Sequence, residues 1–289
     1  MNNEILPGVL EVVAPRAPGV PVFFDSPHSG SAYPADFRPA AAMSQIRKAE
    51  DTHVDDLYRC APDWGAPLLL ALFSRAYLDP NRDEKDIDPE LLAEPWPGPI
   101  SPGAKTKEGH GLIWRLVGAN GLKVYDRRLS VGEVRNRIAT YHTPYHARMR
   151  AILDGLHGMF GAVWHVNCHS MQAVGGPTAP DAGKPRADFV LGDRDGTTCH
   201  ADFTNAVAEM LRRMGYRVAI NDPYKGVELV RRYGDPARRR HSLQIEINRS
   251  LYMNEDTLER VAGYAAFKAD IERLVRGVVG FAQKGIGSA

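Results

Sequence analysis

The stretch FFDSPHSGSAYP, residues 23–34, closes an apolar run that begins at Val20 and breaks at Asp25. A short apolar run bounded by turn residues is the mark of a buried strand. Ser26-Pro27-His28-Ser29-Gly30 follows, too rich in turn formers to continue the strand. A histidine therefore falls at the mouth of a buried strand. Similar runs recur at 67–73, 162–168, 187–192, 216–221 and 242–249, mostly bounded by Gly, Pro, Asp or Asn. Helix-length segments lie between them: 44–60 behind Ser44, 130–160 behind Ser130 and Glu133 in capping-box spacing, 198–214, and 255–283. Strands alternating with helices predict an α/β fold whose mainly parallel sheet is covered on both faces. Such sheets bind ligands beyond the carboxyl ends of their strands, which is where His28 falls. Residues 80–125, rich in Pro and Gly with little periodicity, read as a long excursion over the sheet edge that is suited to substrate contacts.

Of the 289 residues, 36 are Lys or Arg and 35 are Asp or Glu, and 44% are hydrophobic. That suffices for a sizeable core, and a formal net charge of +1 makes no case for nucleic acid or an acidic membrane as partner. The basic runs Arg231-Arg232 and Arg238-Arg239-Arg240 lack interleaved aromatics and read as a solvated face. No apolar stretch nears the roughly 20 residues of a bilayer span. The opening MNNEILPGVLEVVAP lacks the charged and apolar regions of a signal peptide. Cys60, Cys168 and Cys199 are odd in number and form no CxxC pair, which argues against a disulfide framework or a thiolate zinc knuckle. A reducing cytoplasm is the expected compartment. The oligomeric state is not legible in any of these patterns.

Three further stretches concentrate chemistry. AEDTHVDDLY (49–58) spaces Asp51 and Asp55 one helical turn apart, with His53 beside them. AVWHVNCHSM (162–171) is a strand ending on His169 and Ser170. SLQIEINRSLYM (242–253) alternates apolar and polar residues and carries Glu246 amid a hydrophobic strand. Two strand-end histidines and a carboxylate suit a zinc site with an open position. Zinc lowers the pKa of a water there toward ~7, and a carboxylate outside the ligand set, here Glu246, must take its proton. Each residue also has an ordinary reading. The histidines can be caps, Asp51 a solvated helix residue, and Glu246 an edge-strand surface residue pointing outward. In YHTPYH (141–146), His142 and His146 sit at i and i+4 around Pro144. This pair ranks below His28 and His169 as metal ligands, with a supporting or substrate-facing role left open. In SRAYLDPNRDEKDID (74–88), Arg75, Asn81 and Arg82 follow a strand. Arg82 either pairs with Asp79 or Asp83, or clamps an acidic substrate bidentately.

This set of motifs resembles the N-formylglutamate amidohydrolases. The resemblance rests on SPHSGSAYP, EDTHVDDLY, SRAYLDPNRD, YHTPYH, NCHSM, LGDRDGTTC, PYKGVELVRRYGDP and LQIEINRSLYM, in that order over roughly residues 20 to 255. It implies a three-layer α/β/α fold around a mixed, mainly parallel sheet, similar to the zinc carboxypeptidases and aspartoacylases (phosphorylase/hydrolase-like), with residues 1–289 as one domain. It also implies one zinc ion held by His28, Asp51 and His169, with Glu246 activating the zinc water. Asn81 and Arg82 match the pair that holds a substrate carboxylate. Arg75, Lys225 and Tyr252 fall in family blocks as weaker candidates for substrate contact, and His146 and Arg115 are weaker still. The choice of Asp51 over Asp55 comes from the block alignment, since helix geometry alone allows both. Three positions depart from the family pattern. Pro80 stands where leucine is common, Asn167 where aspartate is common, and Val227 where a second glycine often follows Gly226. The Asn167 departure is expected to weaken polarisation of the site, and Val227 to reshape the substrate loop.

The implied activity is hydrolysis of N-formyl-L-glutamate to formate and L-glutamate, in histidine degradation. The expected partner is a small acidic N-acyl amino acid, with no nucleic acid or membrane involved. One alternative is a zinc deacylase or carboxypeptidase acting on another N-acyl amino acid or small peptide. The other is a non-catalytic metal or small-molecule binding protein on the same fold.

Overall fold

The computed structural model describes residues 1–118, 120–177 and 179–287. In chain order the strands are β1 (Glu4–Leu6), β2 (Leu10–Val13), β3 (Val22–Ser26), β4 (Leu68–Ala71), β5 (Leu116–Val117), β6 (Leu122–Lys123), β7 (Val163–Met171), β8 (Phe189–Gly192), β9 (Val218–Ile220) and β10 (Arg240–Asn248). The helices are α1 (Met43–Ile46), α2 (Val54–Leu57), α3 (Ala104–Lys107), α4 (Val131–Arg137), α5 (Thr143–Phe160), α6 (Ala201–Arg213), α7 (Glu228–Tyr233) and α8 (Tyr264–Gly287). Strands β5 and β6 form a separate ribbon, and the other eight build one sheet in the order β1-β2-β4-β3-β7-β10-β8-β9. The central strands β4, β3, β7 and β10 run parallel, while β2 and β8 join them antiparallel, so the sheet is mixed as expected.

Period-2 alternation assigns the two faces. Val22 and Phe24 of β3 pack with Leu68, Trp164, Val166 and Leu243 under α6 and α8. Phe23 turns the other way, with Leu69 and Val163, against Met149, Ile152 and Leu153 of α5. Helical layers therefore cover both faces, and each fully buried apolar side chain of this kind contributes about 1.5–3 kcal/mol. Among the described residues no helix is long and apolar enough to cross a membrane.

On the α5 side the centre of the sheet changes character. His165, Asn167 and His169 of β7 stand in register with Ser242, Gln244 and Glu246 of β10. Asp25 of β3 stands in register with Asn167. This polar column is buried, which costs stability unless every member is hydrogen-bonded. Asp25 Oδ1 accepts from His165 Nε2 at 2.7 Å and from Asn167 Nδ2 at 2.8 Å, and its Oδ2 accepts from Tyr145 at 2.7 Å. Ser242 Oγ lies 2.7 Å from His165 Nδ1 and donates to it. Around Asp25 the column is thus a satisfied network under α5, and it surfaces at the carboxyl ends of β7 and β10, where Gln244 Oε1 is buried without a partner.

Several expectations need correction. Segment 44–60 is not one helix. Asp51 leaves helical geometry, giving its N–H to His28 O at 3.0 Å, and His53 takes a left-handed conformation (φ 69°). The backbone donors here serve the β3 loop instead of a helical ladder. Segment 130–160 is helical from Val131 to Phe160 but carries a π-helical turn over 138–142 just before Pro144, whose missing N–H cannot take part in a regular helical ladder there. Ser130 caps α4, accepting from Glu133 N at 3.1 Å. Helix α8 starts at Tyr264, later than expected. Strand β10 is an interior strand between β7 and β8, so its polar face does not point to solvent.

Candidate active site

Tight packing sets the loop after β3. A Cβ on Gly30 would lie 2.4 Å from the Leu72 backbone, so only glycine lets the loop pass so close to the strand that follows it in the sheet. Ser29 Oγ donates to Asp51 O at 2.9 Å and accepts from Asp55 N at 3.1 Å. This stitches the His28 loop to the Asp51 segment. His28 Nε2 donates to Asp79 Oδ1 at 2.7 Å, which turns Nδ1 toward Asp51. His169, at the end of β7, repeats the arrangement: its Nε2 donates to Asn167 Oδ1 at 2.7 Å. The two Nδ1 atoms converge on Asp51 Oδ2, at 3.3 Å from His28 and 3.1 Å from His169.

His28, Asp51 and His169 thus form a buried group whose ligand atoms lie within 4.8 Å of one another, and it could hold a metal ion. The fit rests on three features. His28 Nδ1 is buried without a hydrogen-bond partner, as a lone pair awaiting a cation would be. Each imidazole is tied at its far nitrogen to an oxygen acceptor, the usual support of a metal-ligating histidine. Burial pushes His169 down to about 4, so the ring is the neutral form that binds metal. Burial alone would raise Asp51. The closeness of the His169 and His28 rings and the charge of Arg75 outweigh it and hold the carboxyl well below its usual range.

Beside this group lies a cavity of about 450 Å³, lined by His28 and His169 and by Arg75, Asn81, Arg82 and Glu246 among others. Glu246 opposes His169 across the β10–β7 ladder, and Gln244 Nε2 donates to its Oε1 at 2.8 Å. Burial, and then the charge of Asp51, push its carboxyl up to about 8, a perturbation typical of functional acids and bases. The arginines spend their donors unequally. Arg75 gives Nη2 to Asp79 at 2.9 Å and stacks 4.9 Å from the Trp114 ring, with Nη1 turned toward Asp51 at 3.9 Å. Arg82 gives Nε to His110 O at 3.0 Å and Nη1 to Asn81 O at 2.9 Å. A group able to hold a metal, a buried carboxylate and incompletely used guanidinium groups in one cavity suit hydrolysis of an anionic substrate.

The family model of the N-formylglutamate amidohydrolases matches residues 20–253. The chain belongs to the N-formylglutamate amidohydrolase family. A solved N-formylglutamate amidohydrolase from Ralstonia eutropha JMP134 is 47% identical and superposes with a TM-score of 0.90, over 96% of this chain and 99% of that one. An N-formylglutamate deformylase of Pseudomonas putida is 30% identical over 245 residues, covering 82% of this chain and 83% of the relative. Another, of Pseudomonas aeruginosa, is 27% identical over 281 residues, covering 93% of each.

In this member of the N-formylglutamate amidohydrolase family, the sequence-derived residues divide in two. His28, Asp51, His169, Glu246, Arg75, Asn81 and Arg82 come together around the cavity. Tyr252 and Lys225 do not line it. The Tyr252 ring is buried and stacks 5.9 Å from Phe267 of α8, which makes it core. Lys225 is exposed and pairs with Asp195 at 2.9 Å, on the outer side of the loop whose Tyr224 and Val227 do reach the cavity. Arg115 pairs with Asp88 at 2.6 Å. Asp55 stands outside the ligand group. His142 and His146 act as struts. Their rings stack at 4.1 Å, and His142 Nε2 donates to Arg82 O and His146 Nε2 to Pro80 O, each at 2.9 Å. They thereby hold the backbone on either side of Asn81. Asp79, Ser170 and Arg249, which bond to His28 and Asp51, escape a local reading. Asp79 was visible only as a partner for Arg82, and the strand-end position of Ser170 was its one signal.

The Asn167 departure has a structural reason. An aspartate at this position would set two carboxylates within hydrogen-bond distance of each other, because Asn167 Nδ2 sits 2.8 Å from Asp25 Oδ1. Asn167→Asp alone is therefore expected to lose stability by ~1–3 kcal/mol and to gain no zinc affinity. The double variant Asp25→Asn/Asn167→Asp exchanges the two groups. Its new amide on β3 donates to the new carboxylate on β7 and, with the His165 proton moved to Nδ1 where it is given to Ser242 Oγ, also to His165 Nε2, so these groups are paired again. That double variant is expected to recover stability and bind zinc at least as tightly as wild type. Denaturant unfolding and zinc titration of wild type and the two variants check this, and a single Asn167→Asp that is already stable and tighter would contradict it.

Proposed function

We propose that this chain hydrolyses the N-formyl amide of N-formyl-L-glutamate to formate and L-glutamate, a step that closes one route of histidine breakdown. His28 Nδ1, His169 Nδ1 and Asp51 would hold one zinc ion. A bound zinc supplies Lewis-acid chemistry, lowering the pKa of water toward ~7 and polarising a carbonyl oxygen. The remaining work falls to the chain. Glu246 takes the proton of the attacking water on its carboxylate and returns it to the nitrogen of the breaking C–N bond, so glutamate leaves as the amine and the formyl carbon keeps the water oxygen. Arg75, with Nη1 not engaged by Asp79, faces the oxygen on which negative charge develops. Arg82 and Asn81 orient a substrate carboxylate. Leu229 N donates to Asn81 Oδ1 at 2.8 Å, so the Asn81 amide is held with its N–H2 end on the His169 side.

The observation that carries this reading is Glu246, buried in the arginine-lined cavity directly across the β10–β7 ladder from His169 of the group that could hold a metal. The likeness to proteins named N-formylglutamate deformylase supports the choice of substrate. The test is formate release from N-formyl-L-glutamate by purified protein, with chelator and then with added zinc. Release that stops with chelator and returns with zinc is expected. Zinc-loaded protein that releases no formate would overturn the substrate assignment and direct attention to other N-acyl amino acids.

A further inference from the structure

The two oxygens of Asp51 have different surroundings. Oδ2 faces both histidine Nδ1 atoms. Oδ1 accepts from Ser170 Oγ at 3.1 Å and from Arg249 Nη2 at 3.0 Å. Arg249 is buried, and its fork is largely spent on the chain itself. Nε donates to Ser170 Oγ at 3.0 Å, Nη1 to Lys48 O at 3.1 Å and Nη2 also to Glu50 O at 2.7 Å. One side chain thus ties the ends of β10 and β7 to the non-helical segment that carries Asp51. Two donors on Oδ1 oppose rotation of the carboxylate, because turning it toward the histidines would break both bonds inside a buried site.

We infer that Arg249, acting with Ser170, is a positioning residue that confines Asp51 to a single metal-facing oxygen. The coordination sphere then keeps an open position for water and substrate. This rests on the metal reading of the site. It also separates Arg249 from Arg75 and Arg82: Arg249 borders the cavity but holds the ligand, not the substrate. Without it, Asp51 is free to present both oxygens, which would add a ligand and close a position.

The test compares metal-free wild type, Arg249→Lys, Arg249→Met and Ser170→Ala, each titrated with zinc against a chromophoric chelator. Zinc-loaded samples are then examined by X-ray absorption. Lysine keeps the charge but cannot reach Ser170, Lys48, Glu50 and Asp51 together. Zinc affinity is expected to fall by ~10–100-fold in both Arg249 variants and less in Ser170→Ala. Arg249→Met should gain one oxygen neighbour in the zinc shell relative to wild type. With saturating zinc, kcat should fall while KM for N-formyl-L-glutamate stays within about threefold. Unchanged affinity and zinc shell in Arg249→Lys and Ser170→Ala would overturn the inference, as would a KM rise with normal zinc binding. Should Arg249→Met fail to fold, the other two variants still decide. Wild type that binds no zinc would instead overturn the metal reading itself.

Discussion

Glu246→Gln is expected to lower formate release from N-formyl-L-glutamate by ~10²–10⁴-fold while leaving zinc affinity within a few-fold of wild type. Glutamine keeps the shape and still accepts the Gln244 bond at its Oε1. What it lacks is a lone pair basic enough to take a proton. Glu246 lies outside the ligand group, so the metal should stay. The same substitution should raise the stability of the metal-free protein. Glu246 is pushed up from 4.5 to about 8, so the folded state holds its proton over a range where the unfolded chain has lost it. Its contribution to stability is fully present below about pH 4.5 and is lost as the pH rises through about 8. A neutral amide has no such loss. Unfolding of metal-free Glu246→Gln should therefore match wild type near pH 4 and exceed it by a few kcal/mol near pH 9. A variant that kept activity would remove Glu246 from the chemistry. One that showed no pH-dependent gain would mean the carboxylate is not desolvated as described.

His28→Ala is expected to weaken zinc binding by at least ~10²-fold and to abolish turnover, whereas His146→Ala should bind zinc within a few-fold of wild type. His28 offers an unpartnered buried Nδ1, and its removal also takes a 2.7 Å bond from the buried Asp79 carboxylate, which keeps those of Arg75 and Asn81 N. A loss of stability should therefore accompany the loss of metal. Both nitrogens of His146 are already engaged, Nε2 with Pro80 O and Nδ1 with Tyr233 at 2.8 Å. Burial, then the charges of His142 and Arg232, hold it well below the usual histidine range, as befits a neutral strut. Its loss should loosen Asn81 and Arg82 and raise KM for N-formyl-L-glutamate. Isothermal titration with zinc, followed by steady-state kinetics, separates the two. If His146→Ala lost zinc and His28→Ala kept it, the ligand assignment would be reversed.

The alternation of β10 was legible because it is a local property of adjacent residues, and the same rule assigns the faces of β7. Trp164, Val166 and Cys168 could only face the core if His165, Asn167 and His169 faced the other way. The β1–β2 hairpin passed unread although Pro7-Gly8 marks its turn, with Gly8 at φ 71°. Its strands are only 3 and 4 residues long, too short for alternation to emerge. Segment 44–60 misled for the opposite reason. Its spacing is good enough for a helix, and only the long-range claims on its backbone, from His28 O and Ser29 Oγ, break it.

The amino-acid sequence by itself determined the strand–helix alternation, the glycine that lets the His28 loop turn, and the residue types able to bind metal and move a proton. These follow from steric and hydrophobic preferences acting over a few neighbours, and from an ordered set of motifs shared with one family. Helix geometry left Asp51 and Asp55 open and the family blocks favoured Asp51; only the tertiary structure set Asp51 beside both histidines, left Tyr252 and Lys225 out of the cavity, and made a strut of His146. It alone joined Asp79 to His28 and Arg249 to Asp51. Those pairings link residues far apart in the chain, and their strength comes from shared burial, where an unmet hydrogen bond or charge is costly. Burial of that kind is a property of the packed sheet and its helices, and no local stretch of sequence carries it.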